Sequence, residues 1–242
     1  MSKSSITPLS SKKHMKLTYT PLPSYSFAAD QTLVPLMFFE IVEASRCFPV
    51  IFPDKNSVVP YALLGFGDKN IFVDKDGHWK ASYLPLMIAN HPFSLIEAFV
   101  KDDADKKPEI AIGIDEGAPH FSTIDGHRLY KDDGEATDLL LNIRNSLGSQ
   151  LRRHRVFQSS FDQLIQLNLL EERSITVTSG DNTRAVNGLR CVNREKFLNL
   201  PETTLGHFVQ TGLMEFVYAH WHSLRHLPLL LDDPSCPKQG AS

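Results

Sequence analysis

The sequence predicts an α+β fold, with a small antiparallel or mixed sheet in the first half and helices mainly in the second half. Three observations in the 242 residues lead there. Pro21, Pro23, Pro35, Pro49, Pro53, Pro60, Pro85 and Pro92 punctuate the first half and confine it to short elements, because proline fixes φ and removes a backbone donor. Asp-Gly pairs at 76–77, 125–126 and 133–134 supply tight turns between extended segments. From Leu140 onward the apolar spacing takes on the period of helices.

In chain order, residues 1–16 read as a flexible polar arm, residues 17–231 as a single domain with a division into two lobes near 135, and residues 232–242 as a flexible tail. Met37 to Cys47 carries apolar residues at helical spacing, with Glu40 and Glu43 beside the stripe. Pro49–Phe52, Val58–Leu64 and Asn70–Val73 read as strands of a meander, with Asp76-Gly77 turning the chain before His78 and Trp79. Ile110–Ile114 is a further strand. Leu140, Ile143, Leu147 and Leu151 fall on one helical face. After Gly148 and the arginine run, Phe157, Phe161, Leu164 and Ile165 form a second, so two consecutive helices are expected. Ile175–Val177 and Ala185–Val192 read as strands joined by the polar turn at 179–182. Pro201 opens a helix with Leu205, Phe208 and Val209 inward, and Gly212 stops it. A last helix from Leu213 to about Leu227 places Leu213, Phe216, Val217, His220 and Leu224 on one stripe.

Hydrophobic residues make up 42% and charged residues 22%, with a net charge of −3. That balance fits a packed globular chain and argues against disorder, coiled coil and a basic nucleic-acid-binding domain. The one dense basic run, Arg152, Arg153, His154 and Arg155, reads as a solvated helix face or interhelix link, with an anion or partner contact as the lesser reading. Cys47, Cys191 and Cys236 are too few and too far apart for a disulfide framework or a metal knuckle. The N-terminus lacks the apolar core of a secretion signal, so a cytoplasmic, reducing location is the default expectation. No apolar run approaches the roughly 20 residues of a membrane span.

The chemical motifs are sparse. Gly65-x-Gly67 lacks the third glycine and the helix of a dinucleotide site. Asp74-x-Asp76-Gly77 opens like a calcium loop but has Pro85 where the twelfth-position glutamate belongs. His222 and His226 share a helical face and give half of a metal site, so no metal is assigned. No nucleophile elbow or other catalytic signature is present, and no cofactor is indicated. Glu40, Asn70, Trp79, Tyr83, His220 and Ser223 are polar or aromatic groups set in apolar segments. They are the candidate ligand-binding residues of a pocket between the early sheet and the last helix. For His220 the sequence also carries a structural reading: a buried imidazole bonded to a backbone carbonyl or to Glu40.

From about Tyr25 to Leu231 the chain resembles the SapC family of bacterial proteins. The residues that carry the likeness are Phe39-Glu40, Phe48-Pro-Val-Ile-Phe52, Leu64-Gly65, Asn70-Ile-Phe-Val-Asp74, Gly77-x-Trp79, Tyr83-x-Pro85 and Pro92-Phe93. Later come Asp133-Gly-Glu135, Gly188-Leu-Arg-Cys-Val192, Leu198-x-x-Leu-Pro201, Gly212-Leu213, Tyr218-Ala-His220 and Ser223-Leu224. The family is named for a link to a paracrystalline bacterial surface layer, and some relatives are loosely labelled peptidases. The resemblance therefore implies a binding or assembly protein of the cell envelope, with a protein partner or a homo-oligomer. Cell-surface association is implied by the resemblance alone. A small-molecule enzyme or ligand sensor using the pocket above is the alternative expectation.

Overall fold

A computed structural model describes residues 6–98, 109–179 and 182–231. The predicted tail at 232–242 lies outside the described residues, as do residues 1–5 of the predicted arm. In chain order the elements are β1 (Ile6–Pro8), α1 (Ser11–His14), β2 (Thr18–Tyr19), β3 (Leu33–Pro35), α2 (Ile41–Ala44), β4 (Val50–Ile51), β5 (Tyr61–Leu63) and α3 (Leu86–Ala89). There follow β6 (Phe93–Ala98), β7 (Glu109–Asp115), β8 (Phe121–Ser122), β9 (His127–Arg128), α4 (Asp138–Gln166), β10 (Leu170–Ser179), β11 (Asn182–Val192), α5 (Arg194–Leu198), α6 (Glu202–Gln210) and α7 (Leu213–Ser223). Short 3-10 segments occupy Ser26–Ala28, Phe38–Glu40 and Leu224–Leu230. The α+β class is as expected, with the strands distributed over several small antiparallel sheets.

The chain forms two compact units, one of residues 1–23 and 89–151, the other of residues 24–88 and 152–242. The divisions fall at 23/24, 88/89 and 151/152, not near 135. In the smaller unit, β7 is the middle strand of a sheet ordered β1-β7-β6, with Ile6 opposite Asp115 and Phe93 opposite Ile114. A second sheet is ordered β8-β2-β9. Phe93, Ile114, Leu129, Tyr130, Leu140 and Leu147 form the core. Residues 6–16, expected to belong to a flexible arm, are instead tied in by β1 and by the Glu116 carboxylate. That carboxylate accepts from Thr7 Oγ1, Lys13 Nζ and His14 Nε2. Lys13, Thr7 and His14 together hold Glu116 at about 2, well below the usual carboxylate range. Leu9 and Met15 also pack against the core, and the polar composition of the segment hid this because its anchoring is otherwise done by strand pairing and polar contacts.

In the larger unit, β5 is the centre of a sheet ordered β3-β5-β4, and β10 and β11 form a long antiparallel hairpin. Asn70–Val73, expected as a strand, makes only an isolated bridge from Val73 to Trp79. The core gathers Phe38, Phe48, Phe52, Phe161, Phe197 and Phe208, all at most 1% exposed.

Two helix expectations change. The predicted pair around Gly148 is one helix, α4, of 29 residues. A single glycine costs about 1 kcal/mol in a helix interior, too little to break one whose buried residues continue on either side at Leu147, Phe161 and Leu164. The last α-helix ends at Ser223, and Leu224–Leu230 tightens into a 3-10 turn around Pro228, which cannot donate a bond to Leu224. Gly212 ends α6 as expected, with φ at 77°.

Candidate functional site

All six candidate residues lie in the larger unit, in three groups. The first centres on Glu40. Apolar residues on either side drive its 3-10 turn into the core, with Phe38 and Ile41 fully buried, and carry Glu40 in with them at 2% exposure. Its Oε1 accepts from the Tyr83 hydroxyl at 2.7 Å and from Leu86 N–H at 2.8 Å, and its Oε2 from Met37 N–H at 2.7 Å. Burial pushes the carboxyl above its usual range, and the bonds from Leu86, Met37 and Tyr83 pull it back. Burial, with Glu40 alongside, also raises the Tyr83 hydroxyl, keeping it a donor. Trp79 joins this group by donating Nε1–H to the Tyr83 carbonyl at 2.7 Å, while its ring meets Tyr25, Phe48 and Phe72.

His220 and Ser223 form the second group, both fully buried on α7. His220 Nδ1 donates to the Val50 carbonyl at 2.7 Å, and its Nε2 accepts from Val192 N–H at 3.1 Å. One nitrogen must donate and the other accept, so the ring is neutral. Burial has lowered it to about 4. Ser223 Oγ donates to the His220 carbonyl and accepts from Val50 N–H at 2.8 Å. Trp221, between them, donates Nε1–H to the Val192 carbonyl at 2.8 Å. Three side chains of α7 thus satisfy both backbone groups of Val50 on β4 and of Val192 on β11. The carbonyl form of the His220 expectation is the observed one.

Asn70 stands apart as the third group. It is fully buried, its Nδ2 donates to the Ala28 carbonyl at 3.1 Å and its Oδ1 accepts from Phe72 N–H at 2.9 Å.

Five of the six thus bond backbone groups through their side chains, and Tyr83 gives its hydroxyl to Glu40. Two cavities, of about 370 and 460 Å³, occur elsewhere, and neither is lined by any of the six. His222 is exposed, and His226 falls in the 3-10 turn after α7, so the helical spacing that paired them does not hold. Among the described residues, Asp74, Asp76 and His78 bring ligand-type atoms within 4.8 Å of one another. Two are exposed, and Asp74 is already bonded to Asp76 N–H, His78 N–H and the His78 ring.

Sequence reading missed two members of the Glu40 region. His154 Nδ1 accepts from Phe38 N–H at 3.1 Å, and its ring stacks on Phe38 at 4.1 Å. Burial lowers it, which keeps Nδ1 free to accept. Arg153 lies 3.9 Å over the Phe39 ring. The signal was helical phase. His154, Phe157 and Phe161 stand at i, i+3 and i+7, on one face, which the surrounding arginines obscured.

No curated protein matches the chain, and no solved structure does. The SapC family model matches residues 9–230, nearly the whole chain, and takes in every residue of the Glu40, Asn70 and His220 groups. On that match the chain belongs to the SapC family.

Proposed function

We propose that this protein is a non-enzymatic binding or assembly protein of the bacterial cell envelope or surface layer, acting through a protein partner or through copies of itself. The observation that carries the reading is the use of its buried polar side chains. Glu40, Asn70, His220 and Ser223 spend their donors and acceptors on backbone groups of their own chain. A catalytic or sensing site needs such groups turned toward a substrate, with one held ready as base or nucleophile. Here each is already engaged, and His220 is held neutral by burial. The envelope link comes from membership of the family. No helix among the described residues is long and apolar enough to cross a membrane, which fits attachment through a partner.

The test is gentle extraction of the native protein, crosslinking, and mass spectrometry of the purified material. A stoichiometric envelope partner or a defined homo-oligomer is the expected result. A lone monomer that turns over a metabolite would overturn the reading.

A further inference from the structure

The smaller unit contains a cavity of about 370 Å³ that none of the candidate residues reaches. Ligand pockets run from roughly 300 to 1,000 Å³ and are mainly apolar, with a few polar groups that fix orientation. This one has that character. Leu9, Leu95, Ile112 and Leu140 supply aliphatic walls, and the polar groups lining it are Arg144 and Tyr130. Leu140, Arg144 and Gly148 follow at i, i+4 and i+8 on α4, so one helix face lines the cavity along two turns.

Three facts point to an occupant. Arg144 is exposed, and among the described residues its guanidinium makes no ion pair or hydrogen bond, so its donors are open to a ligand, whereas the other arginine of the unit, Arg128, is paired with Asp132. Tyr130 is 9% exposed, and its hydroxyl, which makes no hydrogen bond to any described residue, is not closed off from solvent and is open to a ligand in the cavity. Gly148, one turn beyond Arg144, also lines the cavity, inside a long helix where glycine costs stability.

We infer that this cavity binds an unbranched aliphatic chain ending in a small anion, with the tail along Leu95, Ile112 and Leu140 and the head on Arg144 and Tyr130. A guanidinium suits a carboxylate or phosphate head because it offers a planar fork of donors. The aliphatic walls accept the tail without asking for a hydrogen bond.

Calorimetric titration of the full chain with decanoate, decyl phosphate and decyltrimethylammonium tests this. Saturable binding of an anionic probe is expected, and the preference between decanoate and decyl phosphate separates a fatty acid from a phosphate-headed lipid. The cation is expected not to bind. Arg144→Gln should weaken the anion about tenfold or more, the loss of one charge-assisted bond. Gly148→Leu should abolish binding while the helix, given a better helix former, keeps its stability. Absence of saturable anion binding, equal binding of the cation, or affinity unchanged in both variants would overturn the assignment.

Discussion

His220 on α7 and Val50 on β4 are joined through the Nδ1–H to carbonyl bond at 2.7 Å, while Ser223, one helical turn on, takes the Val50 N–H at 2.8 Å. The helix therefore holds both backbone groups of one strand residue, at a place where Val50, His220 and Ser223 are all fully buried. His220→Ala should cost about 2–4 kcal/mol, combining a lost buried bond, two stranded backbone groups and a cavity beside Phe52. Urea unfolding at neutral pH measures it.

Because Ser223 and His220 serve the same residue, their losses should not add. A double-mutant cycle with Ser223→Ala and His220→Ala is expected to give a coupling of about 0.5–3 kcal/mol. Additive losses would mean that Val50 is not a shared partner.

Stability should fall in mild acid. His220 sits at about 4 in the folded chain, against about 6.5 when unfolded. Between those values the unfolded chain binds a proton that the folded one refuses, so unfolding becomes easier as pH drops from about 6.5 to 4 and changes no further below that. The contribution is on the order of 3 kcal/mol. His91, in the smaller unit, is also lowered to about 4, mainly by burial, so more than one histidine of the wild type acts in this direction. The check is the difference in unfolding free energy between wild type and His220→Gln at several pH values, which isolates His220.

Glu40→Ala should be among the most destabilising changes in the first half, at about 2–4 kcal/mol. It strands the Met37 and Leu86 N–H groups, and an unpaired buried donor costs about 1–3 kcal/mol. Tyr83→Phe removes one donor and leaves those two bonds in place, so it should cost about 1 kcal/mol. Thermal unfolding of the two variants side by side tests the order.

Cys191 is 2% exposed, and burial pushes its thiol up to about 12. It should resist a thiol alkylating agent at pH 8 until the protein unfolds, since the thiolate is the reactive form. Peptide mapping after native and denatured labelling reads this directly.

The parts of the fold that were legible in the sequence are those fixed by local chemistry. Asp76-Gly77 and Asp133-Gly134 turn as expected, with both glycines at positive φ. Gly212 ends α6, and the α7 stripe from Leu213 to His220 is buried as its spacing implied. What could not be read depends on distant partners. The two-residue strand β2 carries no pattern of its own and is defined by pairing with β8 and β9, about a hundred residues away. Glu40 and His220 stood out as polar groups in apolar segments, which marks burial. Sequence alone does not distinguish a buried group that faces a ligand from one that faces a carbonyl, because both need the same apolar surroundings. His154 was lost for the opposite reason, one inward residue in a run of arginines.

Amide hydrogen exchange at Val50 and Val192 most directly tests the claim that the polar side chains of this protein hold its backbone. In the wild type both amides should be strongly protected, the first by Ser223 Oγ and the second by His220 Nε2. Ser223→Ala should release Val50 and leave Val192 protected, whereas His220→Gln should release Val192. Protection unchanged at both amides in both variants would show that His220 and Ser223 are not holding the strands and would return them to the candidates for a ligand site.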